Sequence, residues 1–216
     1  MTQQPLPYTI RPMQPGDIPT VVAIDRLSFP TPWSASSYAY ELRNTKVSSY
    51  YVLLKPTTGG ATLPKKGWRQ WLLNMTGLSG SESPVIGYVG FRLQGPDAHI
   101  STIAVHPDWR GNGLGELLLL TALEEALAQG RRSITLEVRS SNHVAQQMYR
   151  KYGFRFTGIH QGYYQDGEDA WLMEASLDAA RTRTRLAELR HALETRLRDG
   201  ASGSHTSGGQ NGADTL

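Results

Sequence analysis

The run Ile103-Ala104-Val105-His106-Pro107-Asp108-Trp109-Arg110-Gly111-Asn112-Gly113-Leu114-Gly115 constrains this chain more than any other part of it. An apolar, β-branched stretch reaches Pro107, glycine then occupies every second position, and a strongly apolar stretch over 114–129 stops at Gly130. The pattern predicts a strand, a tight turn and a helix in immediate succession. Alternate glycines let backbone N–H groups converge without Cβ crowding, and a helix start adds partial positive charge. Such a loop can cradle a phosphate or pyrophosphate. It also fits a plain strand-to-helix connection. Two familiar phosphate loops fail on spacing. The dinucleotide fingerprint needs G-x-G-x-x-G, and the third glycine here comes one residue early; the triphosphate loop ends in Gly-Lys-Ser/Thr, and Gly115 is followed by Glu116.

Around that segment the two periods alternate. Strands are predicted at 8–11, 49–54, 84–93, 98–105, 133–138, 154–160 and 170–177, with residues 94–97 turning one hairpin. Helices are predicted from Asp17 as cap through Arg26, from Ser34 as cap to about Asn44, over 114–129, and from Asn142 to Tyr152, closed by Gly153. Pro19 is tolerable only in the first turn of its helix. Strands before, between and after helices indicate one mixed α/β layer structure. Three stretches stand apart. Residues 56–84 are rich in Gly, Ser, Thr and Pro around Trp68, Trp71, Leu72 and Leu73, which reads as a flexible insertion carrying a short helix at 66–75. Leu186, Leu189, Leu193 and Leu197 lie at helical spacing, so an amphipathic helix is predicted over 178–199. Residues 200–216 hold five glycines and three serines, a composition expected to be disordered.

Composition removes whole classes of chemistry. The 216 residues contain no cysteine, which excludes disulfide frameworks, thiolate zinc sites and cysteine nucleophiles. No metal site is expected, since the histidines at 99, 106, 143, 160, 191 and 205 show no paired ligand spacing. Ser28 and Ser101 lack the G-x-S-x-G setting of a hydrolase nucleophile. The longest apolar run, Leu117 to Leu120, falls far short of the roughly 18 residues of a membrane span, and the N-terminus lacks the basic-then-apolar order of a signal peptide. A cytoplasmic setting without membrane contact is expected. The net charge of +3 suits an anionic ligand or a ribonucleoprotein partner, but the basic residues are scattered and no direct nucleic-acid contact is expected.

Taken with its surroundings, the glycine loop carries a resemblance. Arg110-x-x-Gly113-x-Gly115 after a strand ending Ile-Ala-Val resembles the acetyl-coenzyme A motif of the GNAT superfamily of N-acetyltransferases. More specifically, the chain resembles the RimI type, the ribosomal-protein alanine N-terminal acetyltransferases. The matching pieces are Phe29-Pro30-Thr31-Pro32-Trp33-Ser34, the glycine segment, Leu136-Glu137-Val138-Arg139-Ser140-Ser141-Asn142, Tyr149-Arg150-Lys151-Tyr152-Gly153-Phe154, and Gly162-Tyr163-Tyr164 followed by Asp169-Ala170. They run in the family's order within a domain spanning 5–177. The resemblance implies a mixed sheet flanked by helices and splayed open at a bulge in the 98–105 strand. Coenzyme A would sit in that opening, its pyrophosphate on the N–H groups of Gly111, Asn112, Gly113, Leu114, Gly115 and Glu116. The pantetheine arm would pair near Ile103, Ala104 and Val105, the Val105 N–H would meet the thioester carbonyl, and Asn142 matches a further cofactor position.

The resemblance also assigns proton transfer, with Glu137 at the position of the general base and Tyr149 at that of the general acid. By itself, Glu137 in the strand Ile134-Thr135-Leu136-Glu137-Val138 reads as an outward-facing sheet glutamate, and it is the motif that reverses this. Tyr149 shares a helix face with Ala145, Met148 and Tyr152, as a core aromatic would. Phe29, Trp33, Tyr163 and Tyr164 are candidates for the acceptor slot, although Trp33 and Tyr163 would also serve as amphipathic cover for the core. Asp166, Glu168 and Asp169 would attract a positively charged peptide end or form a solvated turn. The implied reaction moves acetyl from acetyl-coenzyme A to a protein N-terminal amine, with ribosomal alanine as the expected acceptor. Lysine or small-molecule acetylation, and a non-catalytic acetyl-coenzyme A-binding module, are the competing readings. Oligomeric state stays open.

Overall fold

The computed structural model describes residues 6–55, 85–177 and 179–202. The short helix expected at 66–75, the rest of the 56–84 insertion and residues 203–216 lie outside the described residues.

Seven strands form one sheet: β1 (Thr9–Pro12), β2 (Ser48–Leu54), β3 (Val85–Gln94), β4 (Asp97–Val105), β5 (Ser133–Arg139), β6 (Arg155–His160) and β7 (Ala170–Ser176), in the spatial order β1-β2-β3-β4-β5-β7-β6. Among the described residues five helices flank it: α1 (Ile18–Ser28), α2 (Ala35–Arg43), α3 (Leu114–Ala128), α4 (His143–Lys151) and α5 (Ala179–Ser202). All neighbours are antiparallel except β4 and β5, which α3 connects as a parallel pair. The mixed α/β class expected from the sequence is the one observed.

The helix starts show the local causes. Ser34 caps α2 by accepting the Ser37 N–H at 3.1 Å, as its position before the helix predicted. Asp17 behaves differently. It precedes α1 but is itself helical, ending a 3-10 turn over Pro15–Asp17. Its carboxylate reaches back to the Gln14 N–H and takes a two-pronged pair from Arg11 at 2.7 and 2.8 Å. Pro19 sits in the first turn of α1, where no intrahelical N–H is needed.

Two apolar layers sandwich the sheet. On one face α1 and α2 bury Val21, Val22, Ile24 and Tyr38 against Tyr50, Val52, Tyr88 and Ala104. On the other, α3 and α4 cover Val89, Phe91, Ile100, Ile134, Leu136 and Val138. Every residue of α3 from Leu117 to Leu123 is buried, so the helix is enclosed all round. Its outward side lies under α5, whose Leu186, Leu193 and Leu197 join the same core. The leucine stripe of α5 is thus buried on its own chain. The bidentate pair of Arg190 with Glu124, at 2.6 and 2.5 Å, fixes its position along α3. α5 runs three residues into the stretch read from composition as disordered. No helix among the described residues is long and apolar enough to cross a membrane.

Candidate active site

β4 and β5 pair only at Ala98–Ile134, His99–Thr135 and Ile100–Leu136. In the next step of β4 the register against β3 jumps from Phe91–Ile100 to Gly90–Thr102, which makes Ser101 the extra residue of a β-bulge. From there β4 stays with β3 while β5 continues with β7, and the sheet opens between them. The His106 N–H donates to the Ile86 carbonyl at 2.9 Å. By antiparallel alternation, the backbone groups of Ala104 face β3 and those of Ile103 and Val105 face the opening. A second contact agrees, since the Val105 carbonyl accepts from Arg110 Nε at 2.9 Å. The exposed half of β4 is therefore a short strand edge, able to pair with an extended amide-bearing arm through Ile103 and Val105. Ala104 contributes its side chain to the α1/α2 layer instead.

The glycine loop follows directly. A 3-10 turn at Pro107–Trp109 buries Trp109, and Arg110 bridges back to Val105 and to the Ser28 hydroxyl at 2.9 Å. Gly111 and Gly113 have φ of +81° and +77°, left-handed values that exclude β-carbons without strain, and Gly113 is the N-cap of α3. No side chain caps α3, so its first N–H groups at Leu114, Gly115 and Glu116 are left for another acceptor. Asn112 is exposed and folds its amide onto the Trp109 and Arg110 carbonyls at 3.1 and 3.2 Å. These features fit the pyrophosphate of coenzyme A on α3 and its pantetheine arm along β4. Asn142 is exposed at the start of α4, where its Oδ1 accepts the Ala145 N–H at 3.1 Å, so it serves as a helix cap whatever else it touches.

Glu137 and Tyr149 lie on opposite faces of the sheet. Leu136 and Val138 point into the α3/α4 layer, so Glu137 points to the α1/α2 side, half-buried. There its Oε2 is 3.1 Å from His99 Nε2, and His99 Nδ1 is 3.0 Å from the Thr135 hydroxyl. Tyr149 is buried in the α3/α4 layer with its ring 5.6 Å from Phe154. Burial, then the neighbouring Tyr164, pushes its phenol well above the ordinary tyrosine value, so it keeps its proton at neutral pH.

The acceptor candidates ring the α1/α2 side. Phe29 and Trp33 are half-buried against that layer, and the Trp33 N–H donates to Asp25 Oδ2 at 2.5 Å. Asp25 is 1% exposed and also accepts from the Tyr38 and Tyr88 hydroxyls. Tyr163 and Tyr164 sit edge to face 5.1 Å apart. Burial outweighs the neighbouring Arg139 charge and pushes Tyr164 up to about 12. Tyr163 is half-exposed, and both rings feel the charge of Glu137. The structure thus brings Glu137, Tyr163 and Tyr164 together and holds Trp33 on the facing loop, where Thr31 reaches Gln165 at 3.5 Å.

The acidic residues of the β6–β7 loop have a different use from the one charge suggested. Arg139 stacks 3.9 Å over the Tyr164 ring and pairs with Asp166 at 2.8 Å and Glu168 at 2.5 Å. Glu168 also accepts from Ser140 and from the Ser141 N–H, and hydrogen bonds from Ser141 and Arg139 draw its pKa down to about 2. Asp169 accepts the Gly162 N–H at 2.8 Å. They hold the loop rather than wait for a cation.

Three side chains beside these residues take no role from any motif of the sequence. His99 meets Glu137 only through the parallel β4–β5 register. Arg139 needs the β6–β7 loop folded over it. Asp25 was findable, being an acid four residues after Val21 on the buried face of α1.

Residues 20–154 match the family model described as the acetyltransferase (GNAT) family. The chain is 33% identical over 170 residues to the putative [ribosomal protein bS18]-alanine N-acetyltransferase of Bacillus subtilis, spanning 78% of this chain and 95% of that one. It is 27% identical over 172 residues to an N-alpha-acetyltransferase of Saccharolobus solfataricus, spanning 79% and 93%. The crystal structure of the ribosomal-protein-S18-alanine N-acetyltransferase from Escherichia coli superposes with a TM-score of 0.61 at 26% identity, over 80% of this chain and 96% of that one. The chain belongs to the GNAT acetyltransferase family and is an acyltransferase.

Proposed function

We propose that the protein transfers acetyl from acetyl-coenzyme A to the α-amine of a protein N-terminus, with the N-terminal alanine of a small-subunit ribosomal protein as its acceptor. One observation supports the reading: the sheet opens beyond the short β4–β5 pairing, with the Glu137 carboxylate on one face of β5 and the protonated Tyr149 phenol buried in the layer on the other. The bound donor supplies a thioester carbonyl to be attacked. Glu137, directly or through a water, takes the proton that the amine loses as its nitrogen bonds to the carbonyl carbon. The Val105 N–H donates to the carbonyl oxygen while charge gathers there. Tyr149 gives its proton to the sulfur as the carbon–sulfur bond breaks. His99 holds Glu137 from behind at 3.1 Å and is a positioning residue.

The acceptor class follows from magnitudes. An α-amine has a pKa of about 7.7–8.0 and a lysine about 10.4, so lysine asks about 3–4 kcal/mol more for deprotonation. One half-buried carboxylate suits the former. The naming of the relatives from Bacillus subtilis and Escherichia coli supports alanine of ribosomal protein bS18 as the particular target. Coenzyme A release is measured with peptides beginning Ala, Ser, Thr, Gly and Met, and with an N-blocked peptide carrying an internal lysine. Turnover on the Ala peptide and none on the blocked one is expected. Activity confined to the blocked peptide would move the acceptor to lysine.

A further inference from the structure

α5 lies beyond the residues matched by the family model, which end at 154. It nevertheless reaches the glycine loop. A β-carbon on Gly113 would stand 3.1 Å from Arg196 Nη2 and 3.1 Å from Leu193 Cδ1, so the last turns of α5 rest on the residue that caps α3. Arg196 Nη2 donates to Glu116 Oε1 at 2.6 Å. Glu116 Oε2 in turn accepts from Lys151 and from the Tyr152 hydroxyl, the latter at 2.6 Å. Burial alone would raise the Glu116 pKa, but these donors outweigh it and lower it, so the carboxylate is ionised at neutral pH.

An ionised carboxylate in the first turn of α3 opposes the anion that the loop is built to hold. Lys151 cancels one charge. Arg196 is the second cation in contact with Glu116, and it turns the cluster from neutral to positive. Its guanidinium presents five N–H groups in a fixed fork suited to phosphate, and its side chain is 54% exposed beside the loop. The register of α5 that delivers it is set by Arg190 on Glu124 and by buried Leu186 and Leu193.

We propose that Arg196 is a phosphate-binding residue of the donor site, so that the C-terminal helix completes the coenzyme A site with a contact the family domain ends too early to provide. The proposal rests on the acetyl-coenzyme A reading above.

Its test is equilibrium binding to the full chain by calorimetry, with coenzyme A and with pantetheine, which lacks every phosphate. Arg196→Ala is expected to weaken coenzyme A about tenfold or more and to leave pantetheine unchanged, with Arg196→Lys recovering part of the loss. The slope of binding against salt concentration falls in the alanine variant. In a Glu116→Gln background the loss persists if Arg196 touches phosphate. Its disappearance there would overturn the direct contact. Unchanged coenzyme A affinity, equal losses for both ligands, or tighter binding would overturn the proposal. Failure of the folded wild-type chain to bind coenzyme A at all would instead sink the donor site itself.

Discussion

Replacing Gly113 by alanine tests whether α5 is seated on the glycine loop. The residue has φ of +77°, where a β-carbon costs about 1–2 kcal/mol. The new methyl would also meet Leu193 Cδ1 at 3.1 Å, and Leu193 is only 2% exposed and cannot swing into solvent. Crowding of a buried neighbour adds about 1 kcal/mol at the low end of overpacking costs. Gly111 is the built-in control. Its φ is +81°, yet nothing lies within 4 Å of its β-carbon position, so Gly111→Ala carries the backbone term alone. At about 2–4 °C per kcal/mol for a chain of this size, Gly111→Ala is expected to lower Tm by roughly 2–8 °C, with Gly113→Ala a further 2–4 °C below it. Thermal unfolding of the ligand-free chain measures both. Trimming the obstacle with Leu193→Ala should make the two glycine substitutions equivalent, as a double-mutant cycle reports. Equal Tm values for Gly111→Ala and Gly113→Ala in the wild-type background would refute the seating of α5.

Leu193→Ala by itself should cost about 2–4 kcal/mol in urea unfolding, because it removes buried methyls from the α3–α5 seam. Asp25→Ala removes the acceptor of the Trp33 N–H and of the Tyr38 and Tyr88 hydroxyls; it should destabilise by about 2–4 kcal/mol and raise KM for the peptide acceptor more than it lowers kcat. Glu137→Gln and Tyr149→Phe should each lower the single-turnover rate by about 10²–10⁴-fold while coenzyme A still binds. Because Tyr149 is raised above the ordinary phenol value, its proton is retained below about pH 10 and lost only above it. The kcat/KM profile on an N-terminal peptide should therefore climb to about pH 8 with the amine and stay level to about pH 10; a falling limb between those values that vanishes in Tyr149→Phe would contradict this.

Much of the scaffold was legible because its signals are local. Ser34 three residues before Ser37, the glycine at 130 and the alternation in 133–138 each act within a few residues, and the elements appear where those signals lie. Asp17 shows how a local signal misleads. A carboxylate before an apolar run reads as a helix cap, but Arg11 on β1 and the Gln14 N–H hold it one turn earlier. The same limit applies to the β6–β7 loop. Three acidic residues in a row of turn-formers look like a negative patch until Arg139, Ser140 and Ser141 engage Asp166 and Glu168 and the Gly162 N–H donates to Asp169. Charge seen along a sequence has no partner, and partners decide what the charge does.

The α3–α5 seam argues the opposite case, since it was present in the sequence as two halves. The stretch from Leu117 to Leu123 is too apolar for a helix with one wet side, and the stripe of Leu186, Leu189, Leu193 and Leu197 is too apolar to stay uncovered. Each half alone leaves its partner open: a second copy, another protein, or the same chain. Read together they satisfy each other, and the observed packing buries Leu186, Leu193 and Leu197 in the core that encloses α3. What neither half discloses is the axial register. That depends on Arg190 meeting Glu124, and it is the register that carries Arg196 to the mouth of the glycine loop rather than a turn short of it. Hydrophobic pattern decides which surfaces meet; a charged pair within the seam helps decide which residues then stand beside the glycine loop.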